Sequence, residues 1–332
     1  MGRSLVTGID IGHSSIKAVV LKQAGESYVL VSYKELPISQ RIFAENHTVD
    51  HQETVKKLKE LKKSLPLFRR NIALAVPDSV VMSKFIQIDA ELEEREQEFA
   101  IYQAFAHQSP FPIEDLNLDF VKVDEAVNTH SRTATYQVYA TKKNVVESRV
   151  DAASEAGLTP VLIDIQAHGL LQVCQRMVQR HPEQVNWLIL DIGYSQTFLC
   201  GIQAQTPFSK DFPMGTKQCL QQGNEHDFDV GTSNTFIDDL IDRLRRAIQM
   251  HGSVNEQSIQ GIWLSGGGAK LPNLAKALRR KLLVQCEILN PFEDLVNNPS
   301  SAVGNGHDGH RFSTAMGLAI SGLEWLESSH VA

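Results

Sequence analysis

The sequence is short of cysteine, of long apolar runs and of basic charge. Its four cysteines, Cys174, Cys200, Cys219 and Cys286, have no paired spacing and stand in mostly apolar surroundings, so buried reduced thiols are expected rather than disulfides or a metal site. Of the twelve histidines, His226, His307 and His310 fall in polar stretches without a helical His-x-x-x-His pair; no zinc is assigned. No apolar run approaches the ~18 residues of a membrane span, and nothing before Leu5 has the pattern of a secretory leader. A soluble, cytoplasmic protein is expected. With 32 basic and 39 acidic residues the net charge is −7, which gives no footprint for nucleic acid. A chain of 332 residues, 42% hydrophobic, can bury one large core or two lobes.

Within that chain one phrase occurs twice, as Asp10-Ile-Gly-His-Ser-Ser and as Asp191-Ile-Gly-Tyr-Ser-Gln. Each copy lies between two runs rich in aliphatic and β-branched residues, Leu5 to Ile9 and Ile16 to Leu21, then Trp187 to Leu190 and Thr197 to Ile202. The pattern predicts two β-hairpins with Gly/Ser tips. Gly12 and Gly193 admit an anion close to the backbone, and Ser14, Ser15 and Ser195, with His13 and Tyr194 at the tips, supply donors to phosphate oxygens. An aspartate beside a polyphosphate requires a cation between the two anions, so Asp10 and Asp191 imply Mg²⁺, held through retained waters. Lys17 can neutralise phosphate, whereas the matching position in the second copy is Phe198. Taken singly, Asp-x-Gly at a strand end is commonly a tight turn; the repetition favours a nucleotide clasped between two lobes.

A third element, Leu264-Ser-Gly-Gly-Gly-Ala-Lys-Leu-Pro-Asn-Leu, places Gly266, Gly267 and Gly268 between a short strand from Gly261 to Leu264 and a helix opened by Pro272. With Gln166-Ala-His-Gly and Ala315-Met-Gly-Leu-Ala, the set resembles the five motifs of the actin, sugar kinase and heat-shock ATPase superfamily. More narrowly, the chain resembles from end to end the PilM family, the actin-like (FtsA-like) cytoplasmic proteins of type IV pilus assembly. That match rests on Asp10-Ile-Gly-His-Ser-Ser-Ile-Lys-Ala-Val, Ala75-Val-Pro, and an acidic helix ending in Ser109-Pro-Phe-Pro-Ile.

The resemblance implies an α/β, actin-like ATPase fold: duplicated ribonuclease H-like lobes around a nucleotide cleft, with an FtsA-like insertion subdomain. Residues 1–84 and 146–186 are expected to form the first lobe, 85–145 the insertion, and 187–332 the second lobe, with its small subdomain at about 205–258. It further implies ATP and Mg²⁺ as cofactors, and a groove, built partly by the insertion, for the cytoplasmic N-terminal peptide of PilN. Through PilN the protein would reach PilO and PilP and so lie peripheral to the inner membrane; pilus motor ATPases and self-association are further candidate contacts. No sequence motif assigns the groove; Phe85, Phe99, Phe105 and Phe111 are candidates for it, with core packing the default. Gln166 occupies the place where the superfamily orients the attacking water or hydroxyl. Its amide can hold a water but cannot act as a strong base, which fits slow hydrolysis at most. A kinase of the same fold, which would need a further cleft carboxylate, and an FtsA-like filament or cell-division scaffold remain alternatives. Asp164 is expected on the opposite strand face from Gln166. FtsA ends in a basic amphipathic membrane helix, whereas this chain ends in the acidic Gly322-Leu-Glu-Trp-Leu-Glu-Ser-Ser-His-Val-Ala.

Elsewhere, a helix from Val55 to Leu65 should bury Val55, Leu58, Leu61 and Leu65 and solvate a lysine face, with Pro66 ending it. Asp89 should cap an acidic helix, and a further helix from Asn144 to Ala156 should close at Gly157. Arg243 and Arg246 are candidates for stacking on adenine, with surface pairing the plainer reading. Residues 293–310 are expected to form a mobile loop, followed by a last helix from about Phe312 to Leu326 whose Ala315, Gly317 and Ala319 pack tightly on the first lobe.

Overall fold

The computed structural model describes residues 5–25, 27–38, 42–44, 47–65, 70–123, 132–203, 206–220, 228–255, 258–293, 295–296 and 306–328. Strands β1 (Leu5–Ile11), β2 (Ser15–Ala24) and β3 (Ser27–Pro37) form an antiparallel meander. Helix α1 (His51–Ser64) follows, and Asp50 caps it by accepting from the Glu53 amide at 2.9 Å. Then come β4 (Asn71–Val76), β5 (Met82–Asp89), α2 (Glu94–Ala106), β6 (Leu116–Lys122), β7 (Thr133–Lys142) and α3 (Lys143–Glu155). Strand β8 (Thr159–Ile165) runs directly into α4 (Gln166–Arg180). The remainder is β9 (Trp187–Ile192), β10 (Thr197–Gln203), β11 (Thr206–Phe212), α5 (Val230–Asn255), β12 (Gly261–Ser265), α6 (Leu274–Leu282), β13 (Gln285–Ile288) and α7 (Ser313–Ser328).

The duplication in the sequence is a duplication of sheets. One has the order β3-β2-β1-β4-β8 and the other β11-β10-β9-β12-β13, each an antiparallel meander extended by two parallel strands. These are the two lobes of the expected actin-like fold. The match extends to register: Asp10 lies opposite Lys17, and Asp191 opposite Phe198.

The lobes are joined by their connecting helices. Helix α4 lies against β9 and β10, α7 lies against β1 and β2, and the two helices pack on each other. Leu170, Val173 and Cys174 of α4 and Ala315, Leu318 and Ala319 of α7 share one core with Val6, Val19, Ile189 and Cys200. The approach is so close that a Cβ on Gly317 would fall 1.7 Å from the Gly169 carbonyl oxygen, and one on Gly8 would fall 2.0 Å from that of Ala315. The expected packing of the small residues of α7 on the first lobe is therefore present. All four cysteines are free and buried.

The expected face of α1 is buried, with Leu58 and Leu61 fully so; its lysines pair at the surface, Lys56 with Glu53 and Lys57 with Glu60, while Lys62 donates to the Gly157 carbonyl beyond the end of α3. The helix ends at Ser64, and Pro66 lies outside the described residues. Other boundaries differ from expectation. Asp89 does not cap α2: β5 pairs with β7 through Asp89, and the cap lies four residues later at Glu93, which forms a capping box with Glu96. Pro272 belongs to the turn before α6, which starts at Leu274. Much of the stretch expected as a mobile loop lies outside the described residues, as does His226. Residues Gly306–Phe312 form a 3-10 stretch in which Gly309 and His310 are buried.

Strands β5, β7 and β6, in that order, make a third, antiparallel sheet. Helix α2 covers one face through Ile101 and Phe105, packed on Ile86, Tyr136 and Val138. Core packing holds for Phe105 alone among the four phenylalanines: Phe85 is 65% and Phe99 64% exposed, and Phe111 is 38% exposed. Phe85 shares a cross-strand row with Gln137 and Val121 on the face away from α2, and Phe99 lies off the Ile101–Phe105 stripe. No helix among the described residues is long and apolar enough to cross a membrane.

Candidate functional site

The two hairpin tips face one cleft and close in the same way, Gly12 N–H donating to the Ser15 carbonyl at 3.0 Å and Gly193 N–H to that of Gln196 at 2.8 Å. Asp10, Gly12, His13, Ser14 and Lys17 line it from the first lobe, and Asp191, Gly193, Tyr194 and Ser195 from the second. The Lys17 Nζ stands 3.8 Å from Asp10 Oδ2. Burial raises the Asp10 carboxyl, and Lys17 opposes that rise. Burial also pushes Asp191 up to about 6, with the Asp10 charge adding to it and a hydrogen bond from Ser265 working against it. Two buried carboxylates that repel each other across a cleft suit a divalent cation. Asp10 and Asp191 would hold it, leaving its other positions to phosphate and water. The cation would supply charge neutralisation of the phosphates there.

The glycine loop divides its labour. Gly266 has φ +78°, and a Cβ there would fall 2.5 Å from the Ile192 carbonyl oxygen; a Cβ on Gly268 would fall 2.4 Å from the Ile192 side chain. Both are needed for packing. A Cβ on Gly267 would meet nothing within 4 Å, and Gly266 and Gly267 line the cleft while Gly268 supports them from beneath. His310 fastens the loop: its carbonyl accepts from Gly266 N–H at 2.9 Å, and its Nδ1 lies 2.9 Å from the Gly266 carbonyl.

Beside the glycine loop the cleft widens into a second cavity lined by Ser14, Ser15, Lys17, Gly267 and Arg311. Here Glu35 of β3 receives Ser15 Oγ and Arg311 Nη2, each at 2.6 Å, so the Ser15 hydroxyl is engaged with a carboxylate. Burial alone would raise Glu35, but Lys17, Arg311 and Ser15 hold it below the usual range. Lys270 and Asp308 pair at 2.8 Å at the same cavity. Arg243 and Arg246 are exposed on α5; Arg246 donates to the Asp242 backbone carbonyl, and the Asp242 carboxylate pairs with Arg245 instead.

Gln166, the first residue of α4, lines the cleft, whereas Asp164 lines a different pocket. Strand alternation is not the reason, since residues two apart share a face; the two part because the strand ends at Ile165 and Gln166 opens the helix. Sequence reasoning missed two charged residues here. Asp78, just beyond β4, accepts from the Ala167 amide at 3.1 Å and so anchors the first turn of α4 beside Gln166. Arg149, 2% exposed, reaches the cleft from α3. A signal for Arg149 existed: it shares the buried face of its helix with Val145, Ala152 and Ala153, an arginine in an apolar stripe. Asp78, in Val76-Pro77-Asp78, had only a strand-ending proline to mark it.

Asp164 lines a separate groove between the open face of the third sheet and the end of β8, with Val81, Asp119, Tyr139, Ile163 and His168. His168 Nδ1 lies 2.9 Å from Asp164 Oδ1, and the Tyr139 ring meets the imidazole edge-on at 5.2 Å. Burial lowers the His168 imidazole, but Asp164, Asp78 and Asp119 together raise it. The first turn of α4 thus presents Gln166 to the cleft and His168 to the groove.

Burial pushes Asp78 up to about 6, against the opposing hydrogen bond from Ala167. Between pH 4 and pH 6 the native state therefore holds a proton that the unfolded chain has released, and this group makes stability fall as pH rises through that window. Asp78→Asn keeps an acceptor for Ala167 without the charge. It should be more stable than wild type by about 1–2 kcal/mol above pH 6.5, after allowance for partial exposure, and no more stable at pH 4. Denaturant midpoints across pH measure this; a gain that persists at pH 4 would contradict the assignment.

Residues 8–230 and 216–323 match the family described as type IV pilus assembly protein PilM. Among solved structures, the chain is similar to one in the PilM–PilN type IV pilus biogenesis complex, with 24% identity over 97% of this chain and 99% of that chain and a TM-score of 0.80. It also resembles the ethanolamine utilization protein EutJ from Carboxydothermus hydrogenoformans, with 14% identity over 96% and 90% of the two chains and a TM-score of 0.52. With the family match spanning nearly the whole chain and the duplicated lobes in place, the protein belongs to the PilM family of type IV pilus assembly proteins.

Proposed function

We propose that this protein is a nucleotide-binding scaffold: ATP with Mg²⁺ occupies the cleft, and the groove beside the third sheet receives the cytoplasmic N-terminal peptide of PilN. The observation that carries the nucleotide reading is the pair of register-matched tips with the carboxylates of Asp10 and Asp191 lining one cleft, close enough for the Asp10 charge to act on Asp191. The peptide reading is supported by the family, by the similarity to a chain of a PilM–PilN complex, and by the groove itself. It has apolar walls at Val81 and Ile163 and carboxylates at Asp119 and Asp164, which suit an extended segment bearing basic side chains.

Nucleotide acts here as a ligand or switch more than as a substrate. Gln166 is placed to hold a water but cannot take its proton strongly. Among the described residues, the cleft beside the tips is lined by no acid other than Asp10 and Asp191, and Glu35 and Asp308 of the adjoining cavity are committed to Arg311 and Lys270. That speaks against a phosphotransferase. In the cell the protein would sit at the inner membrane through PilN, and through it PilO and PilP.

Calorimetric titration with a synthetic peptide of the PilN cytoplasmic N-terminus, with and without ATP and Mg²⁺, tests the proposal. Binding is expected in at least one state and should weaken at least tenfold on Tyr139→Ala, a loss typical of an interface anchor. No binding in either state would remove PilN as the partner. A nucleotide-dependent affinity would show that cleft and groove are coupled, as the shared first turn of α4 suggests.

A further inference from the structure

Arg149 is a buried cation of the cleft with no counter-ion among the described residues. Its Nε donates to the Ala75 carbonyl at 3.1 Å, and its Nη1 donates to the carbonyls of His47 and Val145 at 3.2 and 2.7 Å. The Phe43 ring lies 5.8 Å from its guanidinium carbon. Its hydrogen bonds among the described residues use Nε and Nη1 alone, and burial pulls the guanidinium down to about 10. A buried cation held only by carbonyl oxygens is costly unless an anion completes it. The three carbonyls fix Nε and Nη1, which leaves the remaining arm of the fork for the cleft that Arg149 lines together with Gly12, Lys17 and Gln166.

We propose that Arg149 binds the terminal phosphate of a nucleoside triphosphate in this cleft and is the residue by which the protein distinguishes ATP from ADP. The inference rests on the nucleotide reading above. Lys17 stands with Asp10 at the first tip, where a cation shared by all bound nucleotides is held, so it cannot by itself report the third phosphate. Arg149 enters from elsewhere in the fold, on the helix that continues β7 of the third sheet without an intervening residue. A guanidinium already oriented by three acceptors loses little freedom on meeting the phosphate, and charge-assisted contacts of this kind are among the strong ones.

The test is calorimetric affinity for ATP and for ADP, both with Mg²⁺, in wild type, Arg149→Gln and Arg149→Lys. Wild type should prefer ATP by about tenfold or more, and Arg149→Gln should reduce that ratio to about threefold or less by weakening ATP alone. Unchanged ADP affinity in the variant also establishes that it folds. Should Arg149→Gln fail to fold, Arg149→Lys decides: a single ammonium cannot keep the carbonyls and reach a phosphate together, so its ratio should also drop. An unchanged ATP/ADP ratio in either folded variant, or equal affinities in wild type, would overturn the role of Arg149 while leaving the nucleotide site intact. Wild type that binds neither nucleotide would instead overturn the nucleotide reading itself.

Discussion

Asp191→Ala is expected to weaken ATP binding about 100-fold in the presence of Mg²⁺, equivalent to about 2.7 kcal/mol, and to leave it unchanged or slightly stronger in EDTA. The two signs come from one cause. With the cation present, Asp191 supplies one of the two charges that hold it between protein and phosphates; without the cation the same carboxylate only repels ATP. Asp10→Ala should show a comparable loss with Mg²⁺ and a larger gain without it, because Lys17, now 3.8 Å from Asp10 Oδ2, would be left free for phosphate. Calorimetry with Mg²⁺ and with EDTA separates these outcomes. Unchanged affinity of both variants in Mg²⁺ would undo the assignment of the tips as the cation site.

The second large effect lies in the joint between the lobes. Gly317→Ala should cost at least about 3 kcal/mol, because its Cβ would lie 1.7 Å from a backbone oxygen of Gly169 that cannot move without displacing α4. In α7 every residue from Ser313 to Leu323 is buried, so the helix has no direction in which to yield. A fall of at least about 4 °C in melting temperature follows for a chain of this size. Gly267→Ala is the matching control. Nothing lies within 4 Å of its Cβ, so stability should change by less than about 0.5 kcal/mol, while ATP affinity falls because the methyl occupies the cleft. If both variants melt like wild type, the close crossing of α4 and α7 is not the joint described here.

What could be read from the sequence is what local pairing decides. The two hairpins are legible because strands joined by a two-residue tip have few registers that put one face inward, so Asp10 opposite Lys17 and Asp191 opposite Phe198 follow from their spacing from the tips. The buried face of α1 and the strand before the glycine loop follow from period alone, whereas the parting of Gln166 from Asp164 does not, because it depends on the strand giving way to a helix between them. Hydrophobicity without its partner misleads: Phe85 and Phe99 look like core, yet the inner face of their sheet is already filled by Ile86, Tyr136, Val138, Ile101 and Phe105.

The sequence by itself thus determined the duplicated lobes, their paired hairpin tips and the family. Only the tertiary structure decided the charges that complete the cleft. Asp78 meets Ala167 across 89 positions, Arg149 meets Ala75 across 74, and Arg311 meets Glu35 across 276. The groove likewise exists only where the open face of the third sheet meets the end of β8. Period can place Arg149 on the buried face of its helix, but it names none of these partners, because the acceptor that replaces a charged residue's water is brought to it by the fold from a distant part of the chain.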